Sequence, residues 1–206
     1  MEFTEVVRRR RMVRDYDPDR EVSDDVVRRA LEAAIRAPSA GFSQGWDFLV
    51  LRTAEDRQRY WDVTAEDGEP DTWLTGMTKA PVLIVCLGNE DAYYDRYAEP
   101  DKGGLSREDK HWPVDYWDVD TGMAALLILQ TAVDEGLGGC LFGVPVDKHA
   151  AVRDAFDIPA NRSFVGVVSL GYPAQDETRL GSDRTRDRRG VADVAHEGRF
   201  GRPLRS

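Results

Sequence analysis

Five arginines crowd the first fourteen residues: Arg8, Arg9, Arg10, Arg11 and Arg14. Guanidinium groups hold phosphate through paired, charge-assisted hydrogen bonds and stay charged at any working pH. A run of arginines is more often a solvated helix face. This one straddles a helix end and an extended segment, so Arg14 can turn back toward a ligand that the preceding arginines also hold. A second candidate is the segment Ala37-Pro38-Ser39-Ala40-Gly41-Phe42-Ser43-Gln44-Gly45-Trp46. Its small residues let backbone N–H groups approach a planar ligand, and Ser39, Ser43 and Gln44 add donors. Alone, it reads equally well as an ordinary helix-to-strand loop. Trp112, Tyr116 and Trp117 form a third group, which reads either as a core or interface plug or as the wall of a site for a planar molecule.

Other chemistries find less support. His111, His149 and His196 are far apart and lack metal-ligand spacing, so surface or hydrogen-bonded histidines are the better reading. Asp15, Asp17 and Asp19 alternate like part of a calcium loop, but the required glycine and terminal glutamate are missing. No GxGxxG, phosphate-binding P-loop or GxSxG elbow is present. Cys86 and Cys140 sit in apolar runs without CxxC pairing and read as buried free thiols, which favours a reducing, cytoplasmic setting. The net charge of −10 argues against nucleic acid or an anionic membrane as the main partner. The longest apolar stretch, 122–133, is too short to span a bilayer, and no secretory signal follows the basic start.

The elements that must position these groups follow from periodicity. The 206 residues suit one α/β or α+β domain, with 41% hydrophobic residues for the core and 32% charged residues for the surface. Residues 2–11 read as a short helix. Ser23 is a good N-cap for a second helix that ends before Pro38. A strand is expected over 48–52, and Thr53 can cap a helix to about residue 67, followed by a Gly/Glu/Pro turn. Residues 82–87 form a continuous apolar strand of the kind covered on both faces. Residues 88–113 read as a long irregular connection, a binding loop or disordered. Then come a long central helix over 114–135, a strand over 139–144, a helix over 146–156 and a last strand over 164–170. The tail from residue 175 is rich in arginine and poor in core residues, so it is either disordered or an arm that folds onto another subunit.

The segments RRMVRDYDP and APSAGFSQGWDFLVL, with Lys79-Ala80-Pro81, GLGG, FGVP, SLGYP and a tail closing at VAHEGRFG, resemble in order the FMN-dependent nitroreductase family. The resemblance covers nearly the whole chain. It implies an α+β fold with a central mixed sheet flanked by helices, a long central helix and a C-terminal arm over 175–206 exchanged in a homodimer. FMN would be held by Arg10, Arg11, Met12 and Arg14. Pro38, Ser39, Ala40 and Gln44 would come from the other subunit. Phe142, Gly143 and Val144 would offer backbone groups, and Arg186 and Arg188 would return to the phosphate. Phe42, Trp112, Tyr116 and Trp117 would line the acceptor side. Two departures stand out: Met12 replaces the family's serine, and Phe42 and Gly45 replace its loop asparagine and proline. The implied activity is transfer of hydride from NAD(P)H by way of the flavin to nitroaromatic, quinone or similar planar acceptors. No side-chain acid or base is needed, and Arg14 is the candidate for stabilising the reduced ring. Oxygen-dependent or dehalogenating flavin chemistry and a non-enzymatic flavin-binding role are the alternatives.

Overall fold

A computed structural model of the chain describes all residues except 66–71, 105, 109–111, 176–184 and 205–206. The expected 68–70 turn and His111 therefore lie outside the described residues. The first helix, α1 (Phe3–Arg9), is followed by an extended segment and α2 (Asp24–Ala34). Ser23 takes the N-cap position of α2, although its hydroxyl makes no capping bond. Next come β1 (Trp46–Leu51), α3 (Ala54–Thr64), α4 (Thr72–Met77) and β2 (Val82–Asn89). Thr53 does cap α3, its hydroxyl accepting from the Asp56 N–H at 3.0 Å. The chain continues through α5 (Glu90–Ala98), α6 (Tyr116–Asp134), β3 (Gly138–Phe142), α7 (His149–Phe156), β4 (Arg162–Gly171) and α8 (Val191–Val194).

The strands run in the order β1-β2-β4-β3, and every neighbouring pair is antiparallel. The expected mixed sheet is therefore antiparallel, and among the described residues the parallel component is a single bridge between Met12 and Gly139. The apolar run in β2 now has its reason. Val82, Ile84 and Cys86 face a cluster with α2 and α6, while Leu83, Val85 and Leu87 face Tyr60, Trp61 and Val152 of α3 and α7. With both sheet faces covered, neither set of alternating side chains can be polar.

The segment 88–113 differs from its expected irregularity, because Glu90–Ala98 is helical. Asn89 accepts from the Ala92 N–H at 3.4 Å, and Glu90 and Asp91 occupy the first turn, where the helix dipole favours acid. Burial of Tyr93 completes the reason, since one fully buried aromatic anchors the short helix to the core. The central helix α6 is not enclosed on all sides. Val119 and Leu126, two turns apart on one stripe, are 49% and 45% exposed.

Candidate functional site

The arginines separate by environment. Arg8 is exposed and paired with Glu5 through two hydrogen bonds of 2.8 and 2.6 Å, so it belongs to the solvated face of α1. Arg10 caps the helix end, and the chain then runs extended onto the sheet. There the Val13 N–H donates to the Gly139 carbonyl at 3.0 Å. Tyr16, fully buried, pegs the segment down: its hydroxyl donates to the Val13 carbonyl at 2.8 Å and meets the Ser169 hydroxyl at 2.7 Å. From the other side α4 leans on the same backbone. A Cβ on Gly76 would stand 2.2 Å from the Arg14 carbonyl oxygen, so only glycine allows this approach. Lys79 holds Asp15 at 2.8 Å.

Arg10, Arg11, Met12 and Arg14 are half-buried along this anchored segment. Nη1 of Arg10 is buried and has no hydrogen-bond partner among the described residues. A buried charged donor without an acceptor is costly, about 1–3 kcal/mol or more, so an anion seated here would remove a standing penalty. Arg14 lies close enough to Cys140 to pull that thiol's pKa down, although burial, the larger influence, raises it.

Beside this segment β3 is an edge strand, paired with β4 on one side and touched on the other by the Met12 bridge. The Phe142 side chain turns into the second core cluster, stacked on Trp61 at 5.9 Å and edge-on to Trp73 at 5.6 Å. Gly143 is exposed, and nothing lies within 4 Å of where its Cβ would be. Val144 is buried, and its carbonyl meets His149 Nε2 at 3.1 Å, which gives that histidine a structural partner.

The loop 38–46 is built with care. Gly41, Phe42 and Gln44 have φ of +64°, +58° and +52°, in the left-handed region. For the two non-glycine residues that conformation costs on the order of 1–3 kcal/mol each unless the surroundings impose it. They do. The Ala40 N–H donates to Asp120 Oδ2 at 2.8 Å, and the Tyr93 hydroxyl donates to the same oxygen at 2.6 Å. Arg96 Nε donates to the Gly41 carbonyl at 2.9 Å, and the Gln44 N–H donates to the Ser39 hydroxyl at 3.0 Å. Burial and the Asp120 bond push the Tyr93 phenol far above its ordinary pKa, so it stays a donor. A Cβ on Gly45 would meet the Tyr93 ring at 2.3 Å. The result presents Pro38 and Gln44 to solvent, Ser39 and Ala40 half-buried, and Phe42 73% exposed.

The aromatic group packs against α5. Trp112 meets Tyr97 edge-on at 4.6 Å, Tyr93 at 5.8 Å and Tyr116 at 5.6 Å, and Trp117 meets Tyr93 at 5.9 Å. Trp112, Tyr116 and Trp117 are thus brought together next to the loop's anchors. Sequence reasoning missed Tyr93, Arg96 and Asp120. The available signal was an acid placed just before the apolar run of α6. Arg186 and Arg188 stand exposed on the tail, where Val191 and Phe200 are also 70% and 94% exposed.

Within one chain these pieces form two separate groups. Ala40 is bonded to Asp120 near the helix start, whereas the N-terminus pairs with Asp134 at its end. Those two contacts are about 21 Å apart along the axis at about 1.5 Å per residue. β1 and β3, which flank the two groups, are also opposite edges of the sheet.

Residues 7–172 match the profile of the Nitroreductase family. An Archaeoglobus fulgidus protein whose name joins NADH dehydrogenase and NAD(P)H nitroreductase is 32% identical over 178 residues, 85% of this chain and 88% of that protein. The 4-nitrobenzoate reductase of a Nocardioides species is 31% identical over 201 residues, covering 82% of this chain and 80% of that protein. A crystal structure from Desulfovibrio desulfuricans that carries the nitroreductase name, in complex with FMN, is 27% identical with a TM-score of 0.70. It covers 97% of this chain and 98% of that one. The fold and the ordered motifs agree with this match, and the chain belongs to the nitroreductase family.

Proposed function

We propose that this chain is an FMN-dependent oxidoreductase that takes electrons from NAD(P)H and reduces nitroaromatic, quinone or other conjugated acceptors, working as a homodimer. The single observation that carries the reading is Arg10 Nη1, buried without an acceptor among the described residues, on an anchored basic segment beside an edge strand. That donor set suits a phosphate monoester. Arg10 and Arg11 would hold the phosphate, with Arg186 and Arg188 arriving from the tail. Arg14 and the backbone of Phe142, Gly143 and Val144 would border the ring, and Met12 would pack against it. Pro38, Ser39, Ala40 and Gln44 would close the far edge from a second copy. When bound, FMN would supply a hydride relay between two substrates that use one face in turn.

The residues then have distinct tasks. Arg14 sets a fixed positive charge where reduction would build negative charge. Trp112, Tyr116 and the exposed Phe42 offer flat surfaces for a planar acceptor and exclude water from it, while Trp117, expected on that side, is only 8% exposed and backs the group through Tyr93. The exposed stripe at Val119 and Leu126 supports a second copy seated along α6, and so does the separation of the two groups at opposite edges of the sheet. A spectrum tests the reading. A purified protein that is yellow, or turns so with added FMN, and bleaches with NADH or NADPH without oxygen supports it. A protein that takes up no flavin overturns it, and a yellow protein unresponsive to both nucleotides moves the electron donor elsewhere.

A further inference from the structure

The geometry points to Asp120 and Tyr93 as positioning residues that set acceptor selectivity by locking Phe42 in place, without themselves touching flavin or acceptor. This inference rests on the proposed flavoenzyme reading and concerns the same site.

One buried carboxylate oxygen ties three elements together. Asp120 Oδ2, on α6 and 3% exposed, accepts from the Tyr93 hydroxyl of α5 at 2.6 Å and from the Ala40 N–H of the loop at 2.8 Å. The loop is gripped one residue further on by Arg96 at the Gly41 carbonyl, 2.9 Å away. Between these grips and the Ser39–Gln44 bond stands Phe42, at φ +58° and 73% exposed. A large apolar side chain in that backbone state and in water loses on both counts in a lone chain. Relaxing the loop would relieve both, and the Asp120–Tyr93 network is what opposes relaxation. The backbone that carries Phe42 is therefore held, and its ring is presented from a fixed point to whatever lies opposite. A rigid aromatic wall discriminates among flat molecules by shape, and a loose one does not.

Tyr93→Phe removes only the hydroxyl and keeps the ring that Trp112 and Trp117 pack on. Asp120→Ala removes both bonds. Hydrogen exchange of the full-length chain, with and without FMN, reads the lock directly. Amides in 38–46 are expected to exchange about tenfold faster in both variants, with the rest of α6 unchanged. The ratio of kcat/KM for nitrobenzene to that for a naphthoquinone reads the selectivity. It is expected to move roughly fivefold in Tyr93→Phe, in the same direction as in Phe42→Ala. Adding Tyr93→Phe to Phe42→Ala should produce no further shift, because Tyr93 acts only through that ring. An unchanged ratio despite faster exchange, or additive shifts in the double variant, would overturn the inference and leave the network purely structural. If Asp120→Ala does not fold, Tyr93→Phe alone decides. A wild-type protein that takes up no FMN would sink the flavoenzyme reading instead, while the exchange result would still judge the lock.

Discussion

At the scale of single residues, environment matters more than charge. Arg8 and Arg10 are two positions apart, yet one is neutralised by Glu5 in solvent and the other buries a donor with nothing to bond among the described residues. Arg10→Ala is therefore expected to weaken FMN binding by about 10–100-fold, the range of a charge-assisted hydrogen bond of about 1.5–3 kcal/mol, whereas Arg8→Ala changes it less than about twofold. Titration of flavin fluorescence measures both, and equal losses would show the arginines acting only as a diffuse patch. Asp118 gives a pH signature. Burial raises its carboxyl pKa, against the lowering bond from the Ser163 hydroxyl. The stability contributed by this group is full below the ordinary aspartate pKa and is lost as pH rises through the higher folded value. Asp118→Asn, which still accepts from Ser163, should raise the melting temperature at pH 7 by up to about 2 °C, with no gain near pH 3. Thermal melts at the two pH values check the sign, and a gain confined to acid would contradict it.

At the scale of elements, local pattern and long-range contact contributed unequally. The strands, α2, α3 and α6 were legible because apolar periodicity and caps such as Thr53 are local signals. α5 was not, since its polar, tyrosine-rich sequence becomes helical through Asn89 capping and burial of Tyr93 against elements far along the chain. α4 was hidden for the same reason: its packing is long-range, with Gly76 required by the close approach of the Arg14 backbone. The site divides likewise. Arg10, Arg11, Arg14 and the 38–46 loop stood out by type and spacing. Asp120, the loop's anchor, did not, because its one local signal, an acid just before the apolar run of α6, says nothing of the Tyr93 and Ala40 partners it meets in the fold. Gly76→Ala is expected to destabilise the fold by about 1–3 kcal/mol, as overpacking does, and to loosen flavin by moving Arg14. Chemical denaturation with a parallel FMN titration tests this, and a stable variant with intact affinity would show that α4 does not hold the segment. On α6, Leu126→Lys places a charge on the exposed apolar stripe and should raise the dimer dissociation constant at least about tenfold. Sedimentation equilibrium measures it, and an unchanged constant would place the dimer contact elsewhere.

At the scale of the whole molecule, the sheet closes two cores, and both cysteines end inside them. Cys86 is fully buried, with its thiol pushed up to about 12 by burial, and Cys140 is 2% exposed. Native protein should show no thiol reactive toward a disulfide reagent within minutes and two after denaturation, and fast labelling in the native state would contradict the packing. The same layout puts the basic segment against β3 and the strained loop before β1, at opposite edges of the sheet, so the account needs one chain's arginines to meet another chain's loop. Heterodimers of an Arg10→Ala chain with a Ser39→Ala/Gln44→Ala chain test this directly. If sites are shared across copies, one site collects both defects and the other is intact, giving one FMN per heterodimer held with wild-type affinity while both sites of each parent homodimer are weakened. If each chain builds its own site, both sites of the heterodimer are impaired and no tight FMN is recovered, which would contradict the account.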